Sequence, residues 1–186
     1  PSGGLHLRPQ DHPLAQEARL HEDKMPAVLA WLAANRLDRI VMAGGRAPRI
    51  GVVAAGKSWL DVLQALDDLG IDEVRAGELG LRLYKVACPW PLEPTGLARF
   101  AEGLDLIIVV EEKRALIETQ IKDQLYGRRA APQIVGKRNE AGHWLFPSKG
   151  ALDTNDIAVA IGERILRHAD DADIRARVAR LAEAQR

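Results

Sequence analysis

An α/β fold, a mostly parallel sheet covered by helices, follows from three features of the sequence. Strand-like apolar runs and helix-like periodic stretches alternate from Ile50 onward, as a parallel sheet with helical crossovers requires. Leu106-Ile107-Ile108-Val109-Val110 is apolar at every position, the mark of a central strand buried on both faces. Between Ser58 and Gly70, Trp59, Val62, Leu63 and Leu66 recur at helical spacing, which commits one face of that helix to a core.

Taken in order, residues 1–49 hold Pro9, Pro13, Pro26 and Pro48 around two helical stretches, roughly 15–24 and 27–35, and read as a connecting arm. Gly44-Gly45-Arg46-Ala47-Pro48-Arg49 marks a sharp turn, so the core is expected to begin near Ile50. The first strand covers Ile50 to Ala55, and Ser58 is the expected cap of the helix after it. Leu81 to Val86 forms a second strand, followed by an extended Cys88-Pro89-Trp90-Pro91 crossing and a helix carrying Leu97, Phe100, Ala101 and Leu104, with Pro94 in its first turn. After the Leu106 strand come Glu111-Glu112-Lys113-Arg114 and a helix through Ile117, Ile121 and Leu125. Gln133 to Val135 makes a fourth strand, and a helix through Ile157, Ile161 and Ile165 completes a domain over residues 50–168. Residues 169–186 form a last helix, through Ile174, Val178 and Leu181, leading toward a further domain.

Composition narrows the function. Lys plus Arg and Asp plus Glu each total 26, for a formal net charge of zero, so no global field gathers nucleic acid or anionic lipid. No apolar run is long enough to span a bilayer. Cys88 is the sole cysteine, which excludes an internal disulfide and a cysteine-held cluster and agrees with a cytoplasmic setting. The first residues lack both an initiator Met and a signal-peptide pattern, and are expected to belong to a chain opened in its middle.

Gly51-Val52-Val53-Ala54-Ala55-Gly56-Lys57-Ser58 satisfies the phosphate-loop pattern letter for letter. This makes a nucleotide-binding domain the alternative reading, with Gly51, Gly56, Lys57 and Ser58 as its residues. In a phosphate loop, however, the strand precedes the first Gly, whereas here the variable residues are themselves the strand. Glu111, Glu112, Lys113 and Arg114 sit at the carboxyl end of the most apolar strand, where open sheets place ligand and interface residues. Consecutive carboxylates on extended chain point in opposite directions, so they read as an interface or as acids favouring the next helix, not as a catalytic pair. Cys88 has no neighbouring base and reads as a packing residue. His6, His12, His21, His143 and His168 are scattered and suggest no metal site. Trp31, Trp59, Trp90 and Trp144 are too dispersed to stack a nucleic acid strand. Arg175, Arg177, Arg180 and Arg186 lie among acids as a solvated face.

Longer passages carry a family resemblance: Leu5-His6-Leu7-Arg8, Gly56-Lys57-Ser58-Trp59-Leu60-Asp61-Val62, Ala65-Leu66-Asp67-Asp68-Leu69-Gly70-Ile71, Trp90-Pro91-Leu92-Glu93-Pro94, Val109-Val110-Glu111-Glu112-Lys113-Arg114, Ile117-Glu118, Gln120-Ile121-Lys122 and Val135-Gly136-Lys137. With these, the chain resembles the fused, thiamine-dependent indolepyruvate (2-oxoacid) ferredoxin oxidoreductases, up to about Leu166. The resemblance implies a domain built like the transketolase C-terminal domain, a three-layer α/β/α unit with a mixed five-stranded sheet. It also implies a parent enzyme that converts 2-oxo acids to acyl-CoA with thiamine diphosphate, Mg²⁺, coenzyme A and [4Fe-4S] clusters, and passes electrons to ferredoxin. The chain has neither a G-D-G-type diphosphate motif nor a C-x-x-C-x-x-C motif. By that reading it carries no catalytic, cofactor-binding or metal residue and is inactive alone. Its partners are then the thiamine-binding and other domains of the same polypeptide and a second subunit, and an exposed interface is expected to produce dimers or larger species.

Overall fold

The computed structural model describes residues 4–6 and 8–184. Leu7 of the first resemblance passage and Arg186 of the terminal arginine group lie outside the described residues. Four strands run where the apolar runs predict them: β2 (Ile50–Ala55), β3 (Leu81–Val86), β4 (Leu106–Val110) and β5 (Gln133–Val135). They pair in parallel in the spatial order β3, β2, β4, β5. A fifth, β1 (Arg39–Met42), joins the β3 edge antiparallel, pairing Arg39 with Lys85 and Met42 with Leu83. This corrects the start of the core. The sheet opens at Arg39, inside the 1–49 segment assigned to the arm, because a short edge strand with one covered side needs little apolar sequence.

The pleat sorts the side chains into two helical layers. Ile50, Val52 and Ala54 of β2, with Ile108 and Val110 of β4, face α3 (Gly56–Asp68), α4 (Glu73–Leu79), α7 (Thr154–Ile165) and α8 (Ala172–Glu183). Val53, Tyr84, Ile107 and Val109 face α5 (Pro94–Ala101) and α6 (Ile117–Leu125). The fold is thus a three-layer α/β/α sandwich with a mixed five-stranded sheet. Burial of the aliphatic faces, worth about 1.5 to 3 kcal/mol for each fully buried Leu, Ile or Val side chain, is the main force holding the layers together. The last helix belongs to the same core, since Ile174, Val178 and Leu181 are buried and α8 packs on α7.

Local differences have local causes. Ser58 is buried inside α3 and does not cap it, because the helix starts at Gly56 directly off Ala55. α4, which the pattern did not suggest, is a two-turn helix capped by Asp72, whose side chain accepts the Arg75 amide at 2.7 Å. Leu104 is buried but lies beyond the end of α5, in the turn to β4. The two arm stretches form one nearly continuous helix: α1 (Pro13–Ala18), a π-helical segment (Arg19–Lys24) and α2 (Met25–Asn35). Pro26 lies one residue into α2, inside this continuous run, and the wider π turn before it accommodates the ring and the missing N–H that Pro imposes on the preceding turn.

Candidate functional site

At the carboxyl ends of β2 and β4 the crossovers diverge to opposite faces, leaving the kind of crevice in which open α/β sheets place their ligands and interfaces. A cavity of about 670 Å³ lies there, bordered by Ala55, Ser58, Pro89 and the run from Glu111 to Ile117. The four residues predicted at this end, Glu111, Glu112, Lys113 and Arg114, all line it. Each does something different.

The two glutamates diverge, as their alternation on extended chain predicts. Glu111 is buried and turns toward the start of α6, accepting the amides of Leu116 at 3.0 Å, Ile117 at 2.9 Å and Glu118 at 3.1 Å. Leu116, which flanks the helix, supplies no side-chain cap of its own. Glu111 thus neutralises the amide end of α6. Glu112 turns to the other side, where its Oε1 accepts the Leu152 amide and the Lys57 ammonium, each at 3.2 Å. The Leu152 amide, and then Lys57, hold its carboxyl below the usual carboxylate range. Lys113 has φ +56° and donates to the Gly150 carbonyl at 2.6 Å. The segment 150–152 is thereby fastened to the rim twice. Arg114 is exposed, and beside it Leu116 is 46% exposed.

Beneath the rim lies a network that residue patterns alone did not single out. The buried Lys137 ammonium donates to the Glu111 carbonyl, and the Lys137 amide donates to Glu118 Oε2 at 2.8 Å. Lys122, one turn along α6, pairs with the same Glu118 carboxylate. Burial pushes the Lys137 ammonium below its ordinary pKa, while Glu111, Glu118 and Glu112 act in the opposite sense. Gly136 permits this approach, for a Cβ there would lie 2.8 Å from Glu118 Cδ and 3.2 Å from the Val109 carbonyl. The only advance signal was that these residues fall in the passages carrying the resemblance; spacing could not show that Glu118 and Lys137 meet. Gln120 extends the network, accepting the Leu92 amide at 2.9 Å and donating to the Pro89 carbonyl at 2.7 Å.

The phosphate-loop alternative fails on geometry. Gly51, Val52, Val53 and Ala54 pair with both β3 and β4, so their amides belong to the sheet. Gly51 serves close packing, since a Cβ there would lie 2.5 Å from both Leu104 Cδ1 and Phe100 Cζ. Lys57 is engaged by Asp61 at 2.7 Å as well as by Glu112, and Ser58 is buried. No cluster of three or more His, Cys, Asp or Glu suited to a metal occurs among the described residues. Cys88 is half-buried, its Sγ 3.3 Å from the Trp90 carbonyl. No helix among the described residues is long and apolar enough to cross a membrane.

A family model described as "Indolepyruvate oxidoreductase domain" matches residues 40–186. Two similar relatives are proteins named indolepyruvate oxidoreductase subunit IorA, from Thermococcus kodakarensis at 30% identity and Pyrococcus abyssi at 32%, each over 89 residues. The match spans 48% of this chain and 13% of either relative. Among solved structures, a 2-oxoglutarate:ferredoxin oxidoreductase from Magnetococcus marinus is similar with TM-score 0.52 and 15% identity, over 86% of this chain and 24% of that one. A chain described as a split gene transketolase gives TM-score 0.46 and 17% identity, over 69% of this chain and 41% of that one.

Proposed function

Because the chain belongs to the indolepyruvate oxidoreductase domain family, we propose that it is a non-catalytic interface domain of a thiamine-dependent 2-oxoacid oxidoreductase. In this reading the parent decarboxylates a 2-oxo acid oxidatively to an acyl-CoA in the cytoplasm. Thiamine diphosphate with Mg²⁺, [4Fe-4S] clusters and coenzyme A are held by other domains, and the electrons leave to ferredoxin. The partners of this chain are the thiamine-binding and other domains of the same polypeptide and a second subunit.

One observation carries the reading: the polar groups of the crevice are already committed to holding the fold. Glu111 is occupied by three amides, Glu112 by Lys57 and Leu152, and Lys137 by the Glu111 carbonyl. A general acid or base has to be within reach of a substrate proton and free to exchange it. What the rim offers a partner is Arg114 and the exposed apolar side chain of Leu116, with Trp90 exposed next to Pro89 in the chain, a mixture typical of protein interfaces.

Calorimetric titration of the purified chain with Mg²⁺-ATP, Mg²⁺-thiamine diphosphate and coenzyme A tests this. No heat of binding is expected from any of the three. Saturable thiamine diphosphate or coenzyme A binding would overturn the non-catalytic assignment, and ATP binding lost in Lys57→Ala would restore the phosphate loop.

A further inference from the structure

On the opposite face of β3 from the α3 layer, a second cleft of about 300 Å³ opens between the end of α2, β1 and α5. Its floor is polar and buried. Asp38 is 7% exposed, and its Oδ1 accepts the amides of Ala87 at 2.7 Å and Cys88 at 3.2 Å. Its second oxygen, Oδ2, is buried without a hydrogen-bond partner, and so is the hydroxyl of Tyr84, which is 1% exposed. Glu93, also buried, lies in the same wall, and its carboxylate accepts the Thr95 and Gly96 amides at 2.7 and 2.6 Å. Leaving two buried polar atoms unpaired carries a desolvation cost, which a ligand that pairs them recovers.

The rim has the opposite character. Arg36, Arg39 and Arg99 border the cleft, all exposed, and none of their guanidiniums makes a hydrogen bond or ion pair among the described residues. Ala33 and Ile40 add an aliphatic side. The unpaired Asp38 oxygen at depth calls for a cationic donor, and three guanidiniums at the mouth call for an anion. A simple cation would be repelled at the mouth and a simple anion at the floor.

We propose that this cleft binds a small aliphatic α-amino acid, its ammonium donating to Asp38 Oδ2, its carboxylate held by the rim arginines and its side chain against Ala33 and Ile40. Tyr84 directs its hydroxyl to the same polar end of the ligand. Burial, which raises the Asp38 pKa and, more strongly, that of Tyr84, makes an unpaired Asp38 carboxylate costly, so an ammonium beside it relieves that cost while the phenol stays protonated. The site shares no lining residue with the crevice and does not depend on the function proposed above.

The test is a titration of the ¹⁵N-labelled chain with L-leucine, and with 3-methylbutylamine and 4-methylpentanoate, which lack the carboxylate and the ammonium respectively. L-leucine is expected to shift the amides of Ala87, Cys88 and Gly96 saturably, with each half-ligand at least about tenfold weaker. Arg39→Gln and Arg99→Gln, both at exposed positions, should weaken leucine while leaving the amine unchanged. Asp38→Asn should weaken both. The absence of saturable shifts, shifts confined to other amides, or equal binding of leucine and either half-ligand would overturn the proposal.

Discussion

Single atoms decide the local energetics. Gly136 is a tight case beside the crevice: Ala there must displace Glu118, which holds the Lys137 amide and the Lys122 ammonium, or the Val109 carbonyl of a central strand. Gly136→Ala is expected to cost about 1 to 3 kcal/mol, as overpacking does, read as a lower denaturation midpoint at unchanged slope. Asp38 responds to pH in a direction set by its raised pKa, of which burial is the main cause, with Ala87, Cys88 and Glu93 amides opposing it. A carboxyl whose folded pKa lies above its unfolded one loses stability as pH rises through the folded value and regains it in acid. Asp38→Asn is therefore expected to stabilise the chain near neutral pH by about 1 kcal/mol. The gain should shrink as the pH approaches the unfolded carboxylate range, which thermal melts across a pH series will show.

Elements are where the sequence was most and least informative. β2 and β4 were readable to the residue as buried apolar runs, β3 as an apolar stretch broken only by Arg82 and Lys85, and the short β5, with Gln133 exposed, by its place in the alternation. β1 was not, since Arg39-Ile40-Val41-Met42 is a half-exposed edge of four residues with a register shift between Ile40 and Met42. Such a strand needs a neighbour more than a pattern. α4 escaped because only Ala76 is buried in it and Gly77 interrupts its periodicity; the Asp72 cap was the one available cue. At the site, Glu111 to Arg114 were marked by their place at the end of a strand, whereas Lys137 and Asp38 owe their burial to segments far away in sequence. Glu111 is also the test of how α6 is anchored. Glu111→Gln keeps one acceptor but loses the charge that serves three amides, and is expected to cost about 1 to 3 kcal/mol. Faster hydrogen exchange at Ile117 and Glu118 would locate that loss at the helix start.

For the whole molecule, the arm raises the question of assembly. α2 reads Met-Pro-Ala-Val-Leu-Ala-Trp-Leu-Ala-Ala-Asn, apolar almost all round, yet only Leu32 is buried and Trp31 is 58% exposed. A helix of that character is ordinarily covered on every side. The chain alone is expected to sediment as dimers or larger species, and Val28→Ser with Trp31→Ser should weaken that association at least about tenfold. A monomer at every concentration would count against it. The antiparallel course of β1 also has a mechanical meaning. The arm reaches the sheet at the carboxyl end of β3, where Asp38 grips the Ala87 and Cys88 amides, and Pro89, the next residue, borders the crevice. A pull transmitted down the arm therefore meets the β1–β3 ladder and, through the Asp38 carboxylate, the wall of the crevice, so tension on the arm can be felt where a partner would sit.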